Sequence, residues 1–139
     1  MLLMSLCAVG AQTAAIGAVF DEALLDGFQT PDSSKYFEEA VLQIPRTIVQ
    51  SHDLDYLRSF GLLAVYSLRS GNHGDLVRYL GLCHASIAQH NFHNESLWPK
   101  DISAKEMDDR RRLFWCIYRL EVHSSCVLGH VVRMPESQI

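Results

Sequence analysis

Residues 2–19 open the chain with apolar and small side chains on nearly every side of a helix. A helix apolar all round should be enclosed by neighbours, and Gly10, Ala11, Ala14, Ala15, Gly17 and Ala18 offer small surfaces for close approach. After a loop through Gln29-Thr30-Pro31-Asp32, a second helix is predicted over 33–43, where Phe37, Ala40, Val41 and Ile44 recur at helical spacing. Pro45 lacks an N–H and disfavours helix at the residue before it, so the helix should stop or kink there. A third helix, 54–68, carries two apolar faces: Leu54, Leu57, Gly61, Ala64, Val65 and Leu68 on one, Tyr56, Phe60 and Leu63 on the other. Such a helix belongs between others. Gly71-Asn72 tolerates positive φ and ends it. The fourth, 74–90, shows a stripe of Leu76, Leu80, Cys83 and Ile87, and the short turn before it makes an antiparallel pair.

A loop over 91–102 contains Trp98-Pro99, and Ser103-Ala104-Lys105-Glu106 then has the spacing of a reciprocal N-terminal cap. It opens a fifth helix, 104–128, which Gly129 terminates, and the tail 131–139 with Pro135 reads as extended. Leu113, Phe114, Trp115, Ile117, Tyr118 and Leu120 make the fifth helix apolar over most of its circumference, so it is expected to be the central core helix. Glu121 within that run needs a hydrogen-bonded or cationic partner, because an unpaired buried carboxylate is very costly. The pattern predicts an all-α fold of about five helices, with no convincing strand and no repeat at a fixed period.

Composition adds bounds. The 139 residues suffice for one domain with a core, and 48% hydrophobic with 20% charged residues is ordinary for a globular protein. A net charge of -4 gives no basic footprint for nucleic acid. The four cysteines, Cys7, Cys83, Cys116 and Cys126, form no C-x-x-C pair and sit in apolar stretches, so they are expected as small buried hydrophobes. The apolar start could imitate a signal or membrane segment, but no Lys or Arg precedes Lys35, Gln12 and Thr13 interrupt the run, and Asp21 and Glu22 follow it. A core helix is the expectation there, without a membrane partner.

Chemistry is sparse. Of seven histidines, His84, His90 and His93 lie close in sequence, yet residues six apart on a helix differ by roughly 240° around its axis, so His84 and His90 face apart. Metal ligands must converge, and no H-E-x-x-H motif occurs, so no metal site is expected. No G-x-S-x-G elbow or phosphate loop is present, and Ser124-Ser125 beside His123 lie on a helix whose side chains diverge, so no catalytic residues are assigned. Arg110, Arg111 and Arg112 cannot all serve one surface. Pairing with nearby acids is expected, with Arg111 or Arg112 bridging to another helix.

The run Asp109-Arg110-Arg111-Arg112-Leu113-Phe114-Trp115-Cys116-Ile117-Tyr118, followed by Leu120-Glu121 and Leu128-Gly129, resembles the central signature of the fungal-specific transcription factor domain. This is the middle homology region of binuclear zinc-cluster regulators, also called the xylanolytic activator regulatory domain. Leu62-Leu63-Ala64-Val65-Tyr66 through Ser70-Gly71-Asn72 is similar to the family helix with a Ser-Gly-Asn-like turn, and 88–94 occupies the place of Ala-x-x-Leu-Gly-Leu-His-Arg, with His93 at the histidine. Glu121 stands for the usual aspartate, Val122 for an arginine, His130-Val131 for Arg-Pro and Asn94 for an arginine. Asn91 stands for a glycine, which the backbone accepts if φ is positive there.

The resemblance implies a non-enzymatic regulatory helical domain, nuclear by family, whose signature residues are structural. It also implies a six-cysteine cluster holding two zinc ions and reading DNA, with a dimerising coiled coil. Neither lies in residues 1–139, so the chain is expected to be a partial domain with no cofactor and no direct nucleic-acid contact of its own. Its expected partners are proteins or further copies meeting exposed apolar helix faces, with a small-molecule effector as a further option. Two other readings remain open. The 54–68 and 74–90 pair suits a TPR-like adaptor, and pockets between helices would suit a small-molecule-binding protein or enzyme on the same scaffold.

Overall fold

A computed structural model describes residues 1–18, 32–45 and 54–134. Five α-helices run in chain order: α1 (Leu2–Ala15), α2 (Ser33–Leu42), α3 (Leu54–Arg69), α4 (His73–Gln89) and α5 (Ala104–Leu128), with a 3-10 turn at Glu95–Leu97. No strand occurs among the described residues, and the fold is all-α. Val19, residues 29–31 of the first loop and residues 135–139 of the tail lie outside the described residues.

Local chemistry explains the helix ends. Asp32 caps α2 by accepting from Ser34 N, Asn72 caps α4 by accepting from Asp75 N, and Ser103 caps α5 by accepting from Glu106 N. The reciprocal half of the last cap gives way to an ion pair, because Glu106 Oε1 accepts from Arg110 Nε and Nη2. Helix α3 stops at Gly71 (φ 70), where Asn72 N–H bonds Ser67 O and Gly71 N–H bonds Leu68 O. Helix α4 stops in the same way at Asn91, whose φ of 54 answers the substituted glycine, and Phe92 N–H bonds Ile87 O.

Helix α1 also ends on such a stop, earlier than expected. Gly17 takes a φ of 71 and Ala18 N–H bonds Thr13 O. Gly17 serves as a terminator, not as a packing surface.

Helix α3 is the centre of the molecule, packed against α1, α4 and α5. Its N-terminal half feeds one core cluster and its C-terminal half a second, each drawing on both of the apolar faces. Leu57 and Phe60 meet Cys83, Ile87, Phe92, Phe114 and Ile117, while Leu63 and Ala64 meet Ala40, Leu76, Tyr79 and Leu80. Phe37 stacks on Tyr66 with centroids 4.6 Å apart and meets Tyr79 edge-on at 6.0 Å, which ties α2 to the α3–α4 pair.

The expectation that α5 is the central helix is corrected. Its buried residues are Phe114, Ile117, Glu121, Ser124 and Ser125, one stripe only. Trp115 follows Phe114 by one residue, hence about 100° around the axis, and is 48% exposed. Helix α1 is likewise not enclosed among the described residues: Ser5 and Ala8 are buried, whereas Leu3, Leu6 and Ile16 are exposed. Ser5 and Ala8 face its neighbours with Met4 packed beside them, while Leu3 and Leu6 keep much of their surface in solvent. The cysteines divide in the same manner, with Cys83 buried, Cys7 intermediate, and Cys116 and Cys126 exposed.

Candidate functional site

The signature segment sits on the first half of α5 and works outward from Phe114. Each of its arginines finds an acid. Arg110 reaches Glu106 at 2.8 Å and lies over two rings, 5.2 Å from the Phe92 centroid and 5.7 Å from that of Trp98. Its side chain is largely buried, so the ring contacts are partly desolvated and worth more than on an open surface. Arg111 spans to the 3-10 turn, with Nη2 2.6 Å from Glu95 Oε2 and Nε on Oε1. That hydrogen bonding holds the Glu95 carboxyl below its ordinary range and the Arg111 guanidinium above its own. Arg112 pairs with Asp108 at 2.8 Å along the helix. The bridge expected of Arg111 or Arg112 is thus made by Arg111.

Asp109, at the head of the segment, meets Arg58 of α3 at 3.3 Å, and Arg58 also holds Asp55 at 2.8 Å. Trp98 is fixed from the other side, since its Nε1–H donates to Asn91 O at 2.9 Å. The loop after α4, the turn and α5 therefore form one mutually braced unit. Tyr118 and Leu113 are half-buried, and the Tyr118 ring meets Trp115 edge-on at 5.6 Å. His93 is exposed and lines, with Trp98, Arg111, Phe114 and Trp115, an open hollow of about 550 Å³.

Glu121 is the second focus. It is 1% exposed, and both carboxylate oxygens are used. Oε1 accepts from Arg133 N–H at 2.8 Å and Oε2 from Met134 N–H at 3.3 Å. His84 Nε2 lies 3.1 Å from Oε1, an electrostatic contact off the line of a hydrogen bond, while its buried Nδ1 has no hydrogen-bond partner among the described residues. Burial pulls the His84 pKa below its ordinary value, against the pull of Glu121. Burial, and then the charge of Glu121, pushes the Cys83 thiol up. The partner required for Glu121 is thus mainly backbone, which side-chain patterning does not reveal. No residue type marks an amide in advance.

The turn that replaces Arg-Pro is also built. Gly129 takes a φ of 74 and its N–H bonds Ser125 O at 2.8 Å. The His130 ring is then held between Ser124 Oγ (3.0 Å, from Nε2) and Ser125 Oγ (2.9 Å, from Nδ1). Ser124 Oγ donates to Glu121 O at 3.0 Å and is fully buried, so this serine–histidine contact is a tie between helix and tail. His90 Nδ1 lies 3.0 Å from Ser86 O. Among the described residues no group of three His, Cys, Asp or Glu is placed to hold a metal ion.

An apolar groove of about 390 Å³ runs between α1, α3 and α5, lined by Leu2, Leu6, Gly61, Val65, Leu113 and Cys116 among others. No helix among the described residues is long and apolar enough to cross a membrane.

A family model described as the fungal specific transcription factor domain matches residues 1–139. Among curated proteins, the chain is 26% identical over 121 residues to Activator of stress genes 1 of Saccharomyces cerevisiae, covering 83% of this chain and 12% of that protein. It is 24% identical over 140 residues to a putative transcriptional regulatory protein of the same yeast, covering 99% of this chain and 18% of the relative. The chain therefore spans less than a fifth of either relative's length. No solved structure matches it. With the family model running the length of the sequence, the chain belongs to the fungal-specific transcription factor domain family.

Proposed function

We propose that this chain is a regulatory helical domain of a transcription regulator, acting in the nucleus by contact and not by catalysis. The family match over residues 1–139 carries the reading. The arrangement of the signature residues supports it. Arg110, Arg111 and Arg112 each pair with an acid, and Phe114 is committed to the core. Polar groups committed to ion pairs along α5 and to the 3-10 turn are not gathered around a substrate. Zinc and DNA readout belong, in this reading, to a cluster that residues 1–139 do not contain.

Contact has a surface available. Leu6 lines the groove and Trp115 the hollow, and both are exposed, as are Leu3 and Val127; exposed apolar area of this kind suits a protein partner, a further copy or a small effector. The purified chain is expected to leave a DNA fragment unshifted in a gel and to emerge from gel filtration without zinc. Fused to a heterologous DNA-binding domain beside a reporter gene, it is expected to change reporter output. Stoichiometric zinc, DNA binding by the chain alone, or a fusion indistinguishable from the bare DNA-binding domain would overturn the reading.

A further inference from the structure

Arg58, Leu62 and Val65 of α3 line the groove between α1, α3 and α5, and Arg69 continues their row at the same helical spacing. Two arginines thus bracket an apolar stretch about 16 Å long. The facing row on α5 is Leu113, Cys116 and Leu120, and Leu2 and Leu6 of α1 make the third wall. The two ends differ in charge. At one, Arg58 is held by Asp55 and Asp109. At the other, Arg69 meets the Thr13 hydroxyl at 2.8 Å and, among the described residues, no carboxylate. Arg119, exposed one turn beyond Cys116, likewise has no ion pair among the described residues. No acid follows Asp109 on α5 except Glu121, which is buried. In a chain of net charge -4, that end of the groove is positive.

We propose that the groove takes an amphipathic helix of a partner protein, apolar on the side laid between the rows and carrying carboxylates that meet Arg69 and Arg119. This gives the contact reading above its partner chemistry, and it rests on that reading. The walls are helices whose amides are bonded internally, so an extended peptide would enter with its own N–H and C=O groups unmatched. A helix brings its own satisfied. About three turns span the apolar stretch, with anchors at i, i+4 and i+7. Carboxylates are favourable in the first turn of a helix, so the bound helix starts at Arg69 and runs antiparallel to α3. A second copy offering α1 would bring no carboxylate, since Leu2–Ala15 contains none.

The probe is a fluorescein-labelled helical peptide with Leu, Leu and Phe at i, i+4 and i+7, two glutamates in its first turn and an uncharged remainder. In fluorescence anisotropy at low salt, the whole chain is expected to bind it saturably. Bound peptide is expected to slow thiol labelling of Cys116, inside the groove, and to spare Cys126, which does not line it. Arg69→Glu with Arg119→Glu, both at exposed positions, is expected to weaken binding about tenfold. A peptide with lysines in place of the glutamates is expected to restore it, which a merely structural defect would not allow. No saturable binding, equal protection of the two cysteines, or a glutamine-for-glutamate peptide that binds as tightly would each overturn the proposal. So would slow Cys116 labelling in the free chain that speeds on dilution, the mark of a second copy in the groove. A chain that changes reporter output as a fusion yet ignores the peptide loses the groove partner alone. One that binds the peptide but leaves the reporter unchanged keeps the groove and loses the regulatory reading.

Discussion

Arg110 lies over the Trp98 ring, its guanidinium carbon 5.7 Å from the centroid, and this contact joins the loop after α4 to the signature helix. The same guanidinium covers Phe92 at 5.2 Å and reaches Glu106. Arg111 and Arg112 have no such ring contacts among the described residues, and their side chains are 47% and 76% exposed. Arg110→Ala is therefore expected to destabilise the chain by about 1–2 kcal/mol, from partly desolvated cation–π contacts and a helix ion pair. Arg111→Ala and Arg112→Ala are expected to leave the urea midpoint close to that of the parent. Equal losses at the three positions would show that the ring contacts contribute nothing particular.

The cysteines give a chemical reading of the same topology. Cys116 and Cys126 are exposed, Cys7 is intermediate, and Cys83 is fully buried with its thiol pKa raised by burial and by Glu121. A thiol-reactive aromatic disulfide at neutral pH is expected to label Cys116 and Cys126 fast and Cys7 more slowly. Cys83 is expected to react only after urea is added, since the thiolate is the reacting species. Rapid labelling of Cys83 in the folded chain would mean that the α3–α4–α5 core is not packed as described.

Stability should also depend on pH with a definite sign. His84 has its folded pKa lowered, chiefly by burial, so the unfolded chain binds the proton better. The contribution of the neutral ring is full above the ordinary histidine value of 6.5 and is lost as pH falls below it. Tyr79 has its pKa raised by burial, so its contribution holds below 10 and is lost at higher pH. Urea midpoints are expected to decline from pH 7.5 to 5.5, and His84→Gln is expected to flatten that slope. A parent chain that becomes more stable in acid would contradict the assignment.

Much of this architecture was legible in the amino-acid pattern, for reasons that can be named. The two apolar faces of 54–68 correctly placed α3 between neighbours, and Gly71, Ser103 and Gly129 mark ends that the structure realises, whereas Asn72 caps the start of α4 instead of sharing the stop of α3. Helix α5 was misread as central because a count of apolar residues ignores which side of the axis each occupies. Phe114 and Ile117 face inward, whereas Trp115 and Cys116 fall outside that stripe. The length of α1 was misread because Gly17 looks alike whether it packs or terminates, and only its φ distinguishes the two. His84 was considered as a metal ligand and not as a neighbour for Glu121. A histidine directly after the buried Cys83 was the available signal. The amides of Arg133 and Met134 carried none.

The central claim is that the signature segment builds the helix packing through Phe114 while Trp115 stays outside it. Equilibrium urea unfolding of Phe114→Ala and Trp115→Ala, followed by far-ultraviolet circular dichroism, tests this most directly. Phe114 is 4% exposed, and its truncation is expected to cost about 3–5 kcal/mol or to abolish the transition. Trp115→Ala is expected to unfold cooperatively with a far smaller loss. A Trp115 loss as large as that of Phe114, or a Phe114→Ala chain as stable as the parent, would contradict the account.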